Sequence, residues 1–130
     1  MIVDTSALVA IMRNEPERGA FLAALSSSPA RMSAVTYFEL GIVIDSARDA
    51  GASAALDDWM RDFDIGIVPV TQETARLARS AYRTFGKGHH PARLNFGDCF
   101  AYALAQEAGE PLLFKGSDFA RTDVQPAIRP

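Results

Sequence analysis

This chain has little cysteine and no long apolar run, and these absences remove several classes of protein. Its single cysteine, Cys99, cannot form a disulfide within the chain, as is usual in a reducing cytoplasm. No apolar run approaches the roughly 18 residues of a membrane span, and the first residues do not form a signal peptide. Zinc-type Cys/His clusters, glycine-rich phosphate loops and internal repeats are also missing. We therefore expect a cytoplasmic protein with no membrane partner.

The chain has a small negative net charge, and its charged residues are unevenly distributed along the sequence. A formal net charge of −3 argues weakly against a nucleic-acid partner. Residues 75–94, however, contain no acid and five cations, of which Arg83, Lys87 and Arg93 are the candidates for contact with RNA. A local basic strip is what phosphate binding requires, although a solvated helix face explains the same residues equally well.

Apolar periodicity indicates an α/β fold formed by one domain over residues 1–130. The predicted strands are Ile2–Val3, Ala30–Ser33, Ile65–Val70 and Leu112–Lys115, with Val124 and Ile128 in a further edge strand. The predicted helices are Ala7–Met12, Glu17–Leu25, Val35–Ala50, Ala54–Phe63, Gln72–Phe85 and Leu94–Gln106, the first of them capped by Thr5 or Ser6. Such alternation predicts a central, mainly parallel sheet with helices on both faces.

The helix over Leu94–Gln106 is predicted to be buried, because residues 99–105 are all apolar or aromatic. Asn95 and Gly97 suit the start of this helix, which places Asp98 in its first turn. A carboxylate there is stabilised by unpaired N–H groups and by the helix dipole. Helix capping is the simpler explanation of Asp98 alone; the alternative is that the buried helix carries an acid to a site.

Glu39 lies in the middle of a predicted helix, on a largely apolar face. Its neighbours at helical spacing are Val35, Thr36, Ile42 and Val43. A buried glutamate is costly unless it is paired, protonated or bound to metal. We therefore favour a functional role for Glu39.

Two further acids follow predicted strands, where ligands bind in parallel α/β sheets. Asp4 follows the first strand and Asp118 follows the last of the four main strands, whereas connection rules do not by themselves bring Asp98 to that edge. Two carboxylates about 4 Å apart repel by about 4 kcal/mol at an effective dielectric of about 20. Mg²⁺ or Mn²⁺ relieves such repulsion and can activate water for phosphodiester hydrolysis. The set Asp4, Glu39, Asp98 and Asp118 therefore indicates metal-dependent nucleic-acid hydrolysis.

These motifs resemble the PIN domain and, more closely, the VapC-type toxin ribonucleases of bacterial toxin–antitoxin pairs. The resemblance is carried by Asp-Thr-Ser-Ala-Leu at 4–8, Glu39, the segment 95–105 and Leu-Leu-Phe-Lys-Gly-Ser-Asp-Phe at 112–119. It implies a three-layer sandwich and an endoribonuclease whose four acids hold Mg²⁺ or Mn²⁺. It also implies support of the site by Ser6, a cognate antitoxin and a homodimer.

The fourth acid is where this sequence departs from the family pattern. Many members carry an additional acid two residues before it, and here that position is Gly116. Asp123 is therefore a second candidate beside Asp118. A partner's amphipathic helix would suit the apolar faces of segments 7–12 and 37–44, although a closed core explains both equally well.

Two other classes remain open. A receiver-type phosphoacceptor domain has a similar fold and Mg²⁺ chemistry, but it needs paired acids after the first strand and an acceptor aspartate on a central strand. Here Asp4 stands alone, and the strand over residues 65–70 ends in Pro-Val-Thr. A non-catalytic binding module is the other alternative, against which the presence of all four acids argues.

Overall fold

The computed structural model describes residues 1–129 and contains a parallel sheet between two groups of helices. The four strands are β1 (Ile2–Val3), β2 (Arg31–Ser33), β3 (Gly66–Val68) and β4 (Leu112–Leu113), in the order β3-β2-β1-β4 with every pairing parallel. The helices are α1 (Thr5–Met12), α2 (Arg18–Ser27), α3 (Ala34–Asp45), α4 (Ala50–Asp62), α5 (Gln72–Phe85) and α6 (Phe96–Ala108), followed by a 3-10 turn, Phe119–Arg121. The predicted α/β architecture is confirmed.

The sheet separates two hydrophobic cores, because successive side chains of a strand point to opposite faces. Val3 and Leu113 pack into the core shared with α1 to α4. Ile2 and Leu112 pack into the core formed with α5 and α6. The register pairs Ile2 with Leu112 and Val3 with Leu113, so β1 and the neighbouring strand β4 each place one residue in each core. The result is the three-layer arrangement that the resemblance implied.

The helix caps differ from the predictions at two points. Asp4 caps α1 by accepting the Ser6 N–H at 3.0 Å, so the predicted cap at Thr5 or Ser6 is wrong. The helix predicted over residues 35–50 ends at Asp45, because Asp49 accepts the N–H groups of Gly51 and Ala52 and so starts α4. A residue with a strong capping side chain interrupted an otherwise continuous helical pattern.

The strand predicted around Val124 and Ile128 is also wrong. Only Pro126 pairs with Leu112, in an isolated parallel bridge. The Leu112 N–H donates to Gln125 and the Ala127 N–H donates to Leu112, each at 2.8 Å. The pairing in the described residues is therefore a single bridge and not a strand.

The buried character of α6 is confirmed, whereas part of the predicted core face of α5 is exposed. Seven residues of α6 are buried, and Asn95 caps the helix as predicted. On α5 the buried residues are Thr74, Ala78 and Ala81, while Leu77 and Tyr82 are 37% and 47% exposed. Within residues 1–129 no helix combines the length and apolar character needed to cross a membrane.

Candidate active site

The four predicted acids come from four parts of the fold and face one neighbourhood at the carboxyl edge of the sheet. Asp4 follows β1, Glu39 lies in the middle of α3, and Asp98 lies in the first turn of α6. Asp118 lies in the loop after β4. The charges of Asp98 and Glu39 act on Asp4, and those of Glu39 and Asp118 act on Asp98. The structure thus brings Asp98 to the edge where connection rules alone did not place it.

Asp4 is the most constrained member of the set. Its side chain is 3% exposed, and its Oδ2 accepts the Ser6 N–H at 3.0 Å and the Ser6 hydroxyl at 2.6 Å. Within the part of the chain that the structure describes, its buried Oδ1 has no hydrogen-bond partner. Burial, opposed by the Ser6 bonds and reinforced by Asp98 and Glu39, raises the pKa of Asp4 to about 6. A cation bound beside this unpartnered oxygen would offset the repulsion among the neighbouring carboxylates.

Ser6 connects Asp4 to the end of the neighbouring strand. Its hydroxyl donates to Asp4 and accepts the backbone N–H of Lys115 at 3.0 Å. The Asp4 N–H donates in turn to Leu113 at 2.9 Å. The serine that the resemblance implied as a supporting residue therefore lies between the ends of β1 and β4.

Glu39 has two contacts that sequence reasoning missed. The Thr5 hydroxyl donates to Glu39 Oε1 at 2.7 Å. On the other side the carboxylate lies against Gly97, where an added Cβ would be 2.0 Å from Oε2. The available signal was a glycine in a helix otherwise rich in alanine, which often marks close approach of another group.

Asp98 is both a capping residue and a member of the acid set. Its backbone N–H donates to Asn95 Oδ1 at 2.9 Å, and its Oδ2 accepts the Asn95 N–H at 3.0 Å, forming a capping box. Burial, opposed by the Asn95 bond and reinforced by Glu39 and Asp118, raises the pKa of Asp98. The cap engages one oxygen, so the capping explanation and the site explanation are compatible.

The structure separates the two candidates for the fourth acid. Asp118 is exposed and acts electrostatically on Asp98. Asp123 instead accepts the Tyr102 hydroxyl at 2.5 Å and lies 3.5 Å from the Gln106 amide nitrogen. Those partners lie one and two turns beyond Asp98 along α6, or about 6–12 Å at 1.5 Å per residue. Asp123 therefore lies beside the middle and second half of this helix, away from Asp98.

The donor chemistry of the site fits a hard divalent cation. In residues 1–129 no three acidic, histidine or cysteine side chains already stand as a complete ligand set. The candidate donors are nevertheless all oxygens, and one of them, Asp4 Oδ1, is buried without a partner. Such donors suit Mg²⁺ or Mn²⁺. Asp4, Glu39 and Asp98 would hold the ion, with Asp118 acting directly or through water.

The three basic candidates lie on the approach to α6. Arg83 is in the last turn of α5, and Lys87 and Arg93 are in the loop that leads to Asn95; all three are exposed. Across residues 1–129 none of them forms an ion pair, whereas Arg76 of the same strip pairs with Glu73 at 2.9 Å. Their charges therefore remain available close to the start of the helix that carries Asp98.

Comparison with known proteins links this geometry to one family. The family model of the PIN domain matches residues 1–125. Ribonuclease VapC28 of Mycobacterium tuberculosis is 52% identical over 130 residues, covering 98% of each chain. Ribonuclease VapC of Mycolicibacterium smegmatis is 47% identical over 125 residues, covering 95% of this chain and 97% of the relative.

Solved structures share the fold at much lower identity. VapC20 of Mycobacterium tuberculosis, a sarcin–ricin loop cleaving toxin, superposes with a TM-score of 0.77 at 18% identity and covers 99% and 98% of the two chains. A toxin–antitoxin complex from Klebsiella pneumoniae gives a TM-score of 0.72 at 17% identity, covering 94% and 92%. At this identity the agreement concerns the fold.

Burial of the Asp4 charge predicts a stability effect that depends on pH. Because its folded pKa of about 6 lies above the ordinary 3.8, ionised Asp4 destabilises the fold above pH 6, by roughly 3 kcal/mol. That cost is relieved as the pH falls from about 6 to 4. Asp4→Asn keeps an acceptor for the helix cap, so in EDTA it should unfold at higher denaturant concentration than the wild type at pH 7.5 and lose this advantage by pH 4.

Urea unfolding of both proteins at a series of pH values measures this difference. Asp49→Asn, the same change at the exposed cap of α4, controls for loss of a capping charge. A difference between Asp4→Asn and wild type that does not change with pH would contradict the prediction.

Proposed function

The chain belongs to the PIN domain family, and from that membership we propose that it is an endoribonuclease, the toxin of a type II toxin–antitoxin pair. The relatives that bear the ribonuclease name match it over nearly their whole length. The observation that carries the proposal is the buried Oδ1 of Asp4, which has no hydrogen-bond partner in residues 1–129 and lies near Glu39 and Asp98. The reaction is hydrolysis of RNA phosphodiester bonds in the presence of Mg²⁺ or Mn²⁺.

The four acids and Ser6 have different roles in the proposed site. A bound divalent ion would activate water and stabilise the charge that develops on the phosphodiester. Asp4, Glu39 and Asp98 would hold that ion, Asp118 would contribute directly or through water, and Ser6 keeps the Asp4 carboxylate in place through its 2.6 Å bond. A non-catalytic or receiver-like Mg²⁺-binding domain is the alternative, and it predicts binding of the ion without cleavage.

The sharpest test of the catalytic proposal is Asp98→Asn. Asparagine keeps the size of the side chain and an acceptor for the Asn95 N–H, but it removes the charge. We expect Mg²⁺-dependent RNA cleavage to fall by more than about a hundredfold, since even residues outside the ligand set typically cost 10–100-fold. Toxicity on expression should be lost as well. The measurement is cleavage of a defined RNA with Mg²⁺, Mn²⁺ or EDTA.

Asp123→Asn is the matched control, because Asp123 contacts Tyr102 and Gln106, one and two turns beyond Asp98 along α6. It should cleave at close to the wild-type rate. Cleavage by Asp98→Asn at the wild-type rate would mean that Asp98 serves only as a helix cap. Binding of Mn²⁺ by wild type without any cleavage would favour the non-catalytic alternative.

We further propose that Arg83, Lys87 and Arg93 bind the RNA backbone. Replacing all three with alanine should weaken binding to different single-stranded RNAs to a similar degree. The slope of log affinity against log salt should fall by roughly 2, at about 0.7 for each phosphate that the protein no longer neutralises. Binding of Mn²⁺ should not change. Fluorescence anisotropy at several salt concentrations measures the slope, and Arg61→Ala on α4 is the control. An unaltered slope in the triple variant would identify its three residues as a solvated face.

The antitoxin is proposed to cover the groove between α3 and α4. Of the two apolar segments considered from the sequence, residues 7–12 are largely buried in the core. On α3, by contrast, Phe38 and Ile42 are 68% and 53% exposed and line a groove of about 640 Å³. Apolar exposure of this kind marks interaction surfaces, and an amphipathic helix is the partner that such a groove fits.

The homodimer is proposed to use the other exposed apolar face, between α5 and α6. Phe96 is 76% and Tyr82 47% exposed, and together with Phe100 they line a groove of about 360 Å³. Phe96 lies two residues before Asp98. A second copy seated here would therefore bring two active sites close together.

Two matched variants separate these surfaces. Phe38→Ser should lose capture of the co-expressed antitoxin while keeping the oligomeric state of wild type. Phe96→Ser should reduce self-association, measured by light scattering on a sizing column, while keeping antitoxin capture. If either variant behaves like wild type in its own assay, the corresponding surface assignment is wrong.

A further inference from the structure

Glu39 differs from the other acids in how its carboxylate is held. Asp4 and Asp98 each lie at a helix N-terminus and accept backbone N–H groups. Glu39 lies in the middle of α3, and its hydrogen-bond donor within residues 1–129 is the Thr5 hydroxyl at 2.7 Å. A glutamate side chain turns about three rotatable bonds, so without restraint its carboxylate would sample many positions.

Thr5 is placed to provide one side of that restraint. Its residue is 9% exposed, and its Oγ1 also lies 3.4 Å from the Thr36 carbonyl, one turn before Glu39 on α3. Both acceptors belong to the same helix, so the hydroxyl points at the Glu39 carboxylate from a fixed position beside Asp4. A hydrogen bond to a charged acceptor is about twice as strong as one between neutral groups.

Gly97 provides the other side. A Cβ at this position would lie 2.0 Å from Glu39 Oε2 and 2.5 Å from Cδ, far inside van der Waals contact. The backbone at Gly97 does not have a positive φ, so backbone conformation does not require glycine there. A larger residue at this position would therefore displace the Glu39 carboxylate.

We propose that Thr5 and Gly97 are positioning residues that hold the Glu39 carboxylate between them and thereby set the affinity of the site for a divalent ion. The inference rests on the proposed function, because it assigns Glu39 to the metal site. Its own content is that two residues outside the acid set control ion binding through one carboxylate.

Thr5→Val tests the hydroxyl, since valine has nearly the same shape without the donor. We expect binding of Mn²⁺, measured by calorimetry, to weaken by about tenfold or more, and the thermal stabilisation by Mn²⁺ to shrink accordingly. Thr5→Ser restores a donor and should recover most of the affinity. Thr36→Val is the control: it removes a buried threonine hydroxyl that has no hydrogen-bond partner in the described residues, and it should bind Mn²⁺ like wild type.

Gly97→Ala tests the other side of the Glu39 carboxylate. It should weaken Mn²⁺ binding without destabilising the metal-free protein. Alanine favours the helix and restricts the unfolded chain, and the group it displaces is the end of a flexible side chain. In EDTA the variant should therefore melt at or above the wild-type temperature, yet gain much less from Mn²⁺. Gly19→Ala, at a helical glycine with open space around it, should keep the full gain.

The outcomes separate this inference from the proposed function. Wild-type affinity for Mn²⁺ in Thr5→Val and Gly97→Ala would overturn the inference while leaving the ribonuclease proposal intact. Equal weakening by Thr5→Val and Thr5→Ser would overturn the role of the hydroxyl. A wild-type protein that gains no stability from Mn²⁺ or Mg²⁺ and cleaves no RNA would instead refute the proposed function.

Discussion

The Asp4 carboxylate is buried beside other acids, and the surrounding elements are arranged around the cost of that charge. Ser6 satisfies one carboxylate oxygen with two hydrogen bonds, while the other oxygen has no partner among the described residues. Glu39 and Asp98 raise the cost further, because like charges repel more strongly in a partly desolvated site. Contacts among the acids cannot stabilise such an arrangement, so the rest of the fold must hold it.

Two of the acids are held by helix ends and one by a side chain. Asp4 caps α1 and Asp98 completes the capping box of α6, so each meets unpaired N–H groups at the positive end of a helix dipole. Glu39 has no helix end to stabilise it. The fold compensates with the Thr5 hydroxyl and with the close approach of Gly97, both on elements whose ends already carry an acid. The three carboxylates are thus linked through α1 and α6.

The features that could be predicted from the sequence depend on local periodicity, and those that could not depend on packing between distant segments. The alternation of strands and helices, the burial of α6 and its cap at Asn95 follow from neighbouring residues. The meeting of Asp98 with Glu39 depends on the contact of Gly97 with α3, which no local pattern encodes. The exposure of Tyr82 has a similar cause: helical spacing marks an apolar stripe but does not say how wide a stripe the partner helix covers.

The distribution of cations explains why, within residues 1–129, the four candidate acids have no cationic partner. Lys115 is the lysine nearest in sequence to Asp118, and its backbone N–H donates to Ser6. Its ammonium group, however, pairs with Glu15 and, at 3.1 Å, with Glu17. Within residues 1–129 no arginine or lysine forms an ion pair with the four candidate acids. An ammonium group in the cluster would neutralise part of its charge and compete with a divalent ion. By pairing with Lys115, the two glutamates leave the negative charge of the acids at the sheet edge without a neutralising lysine.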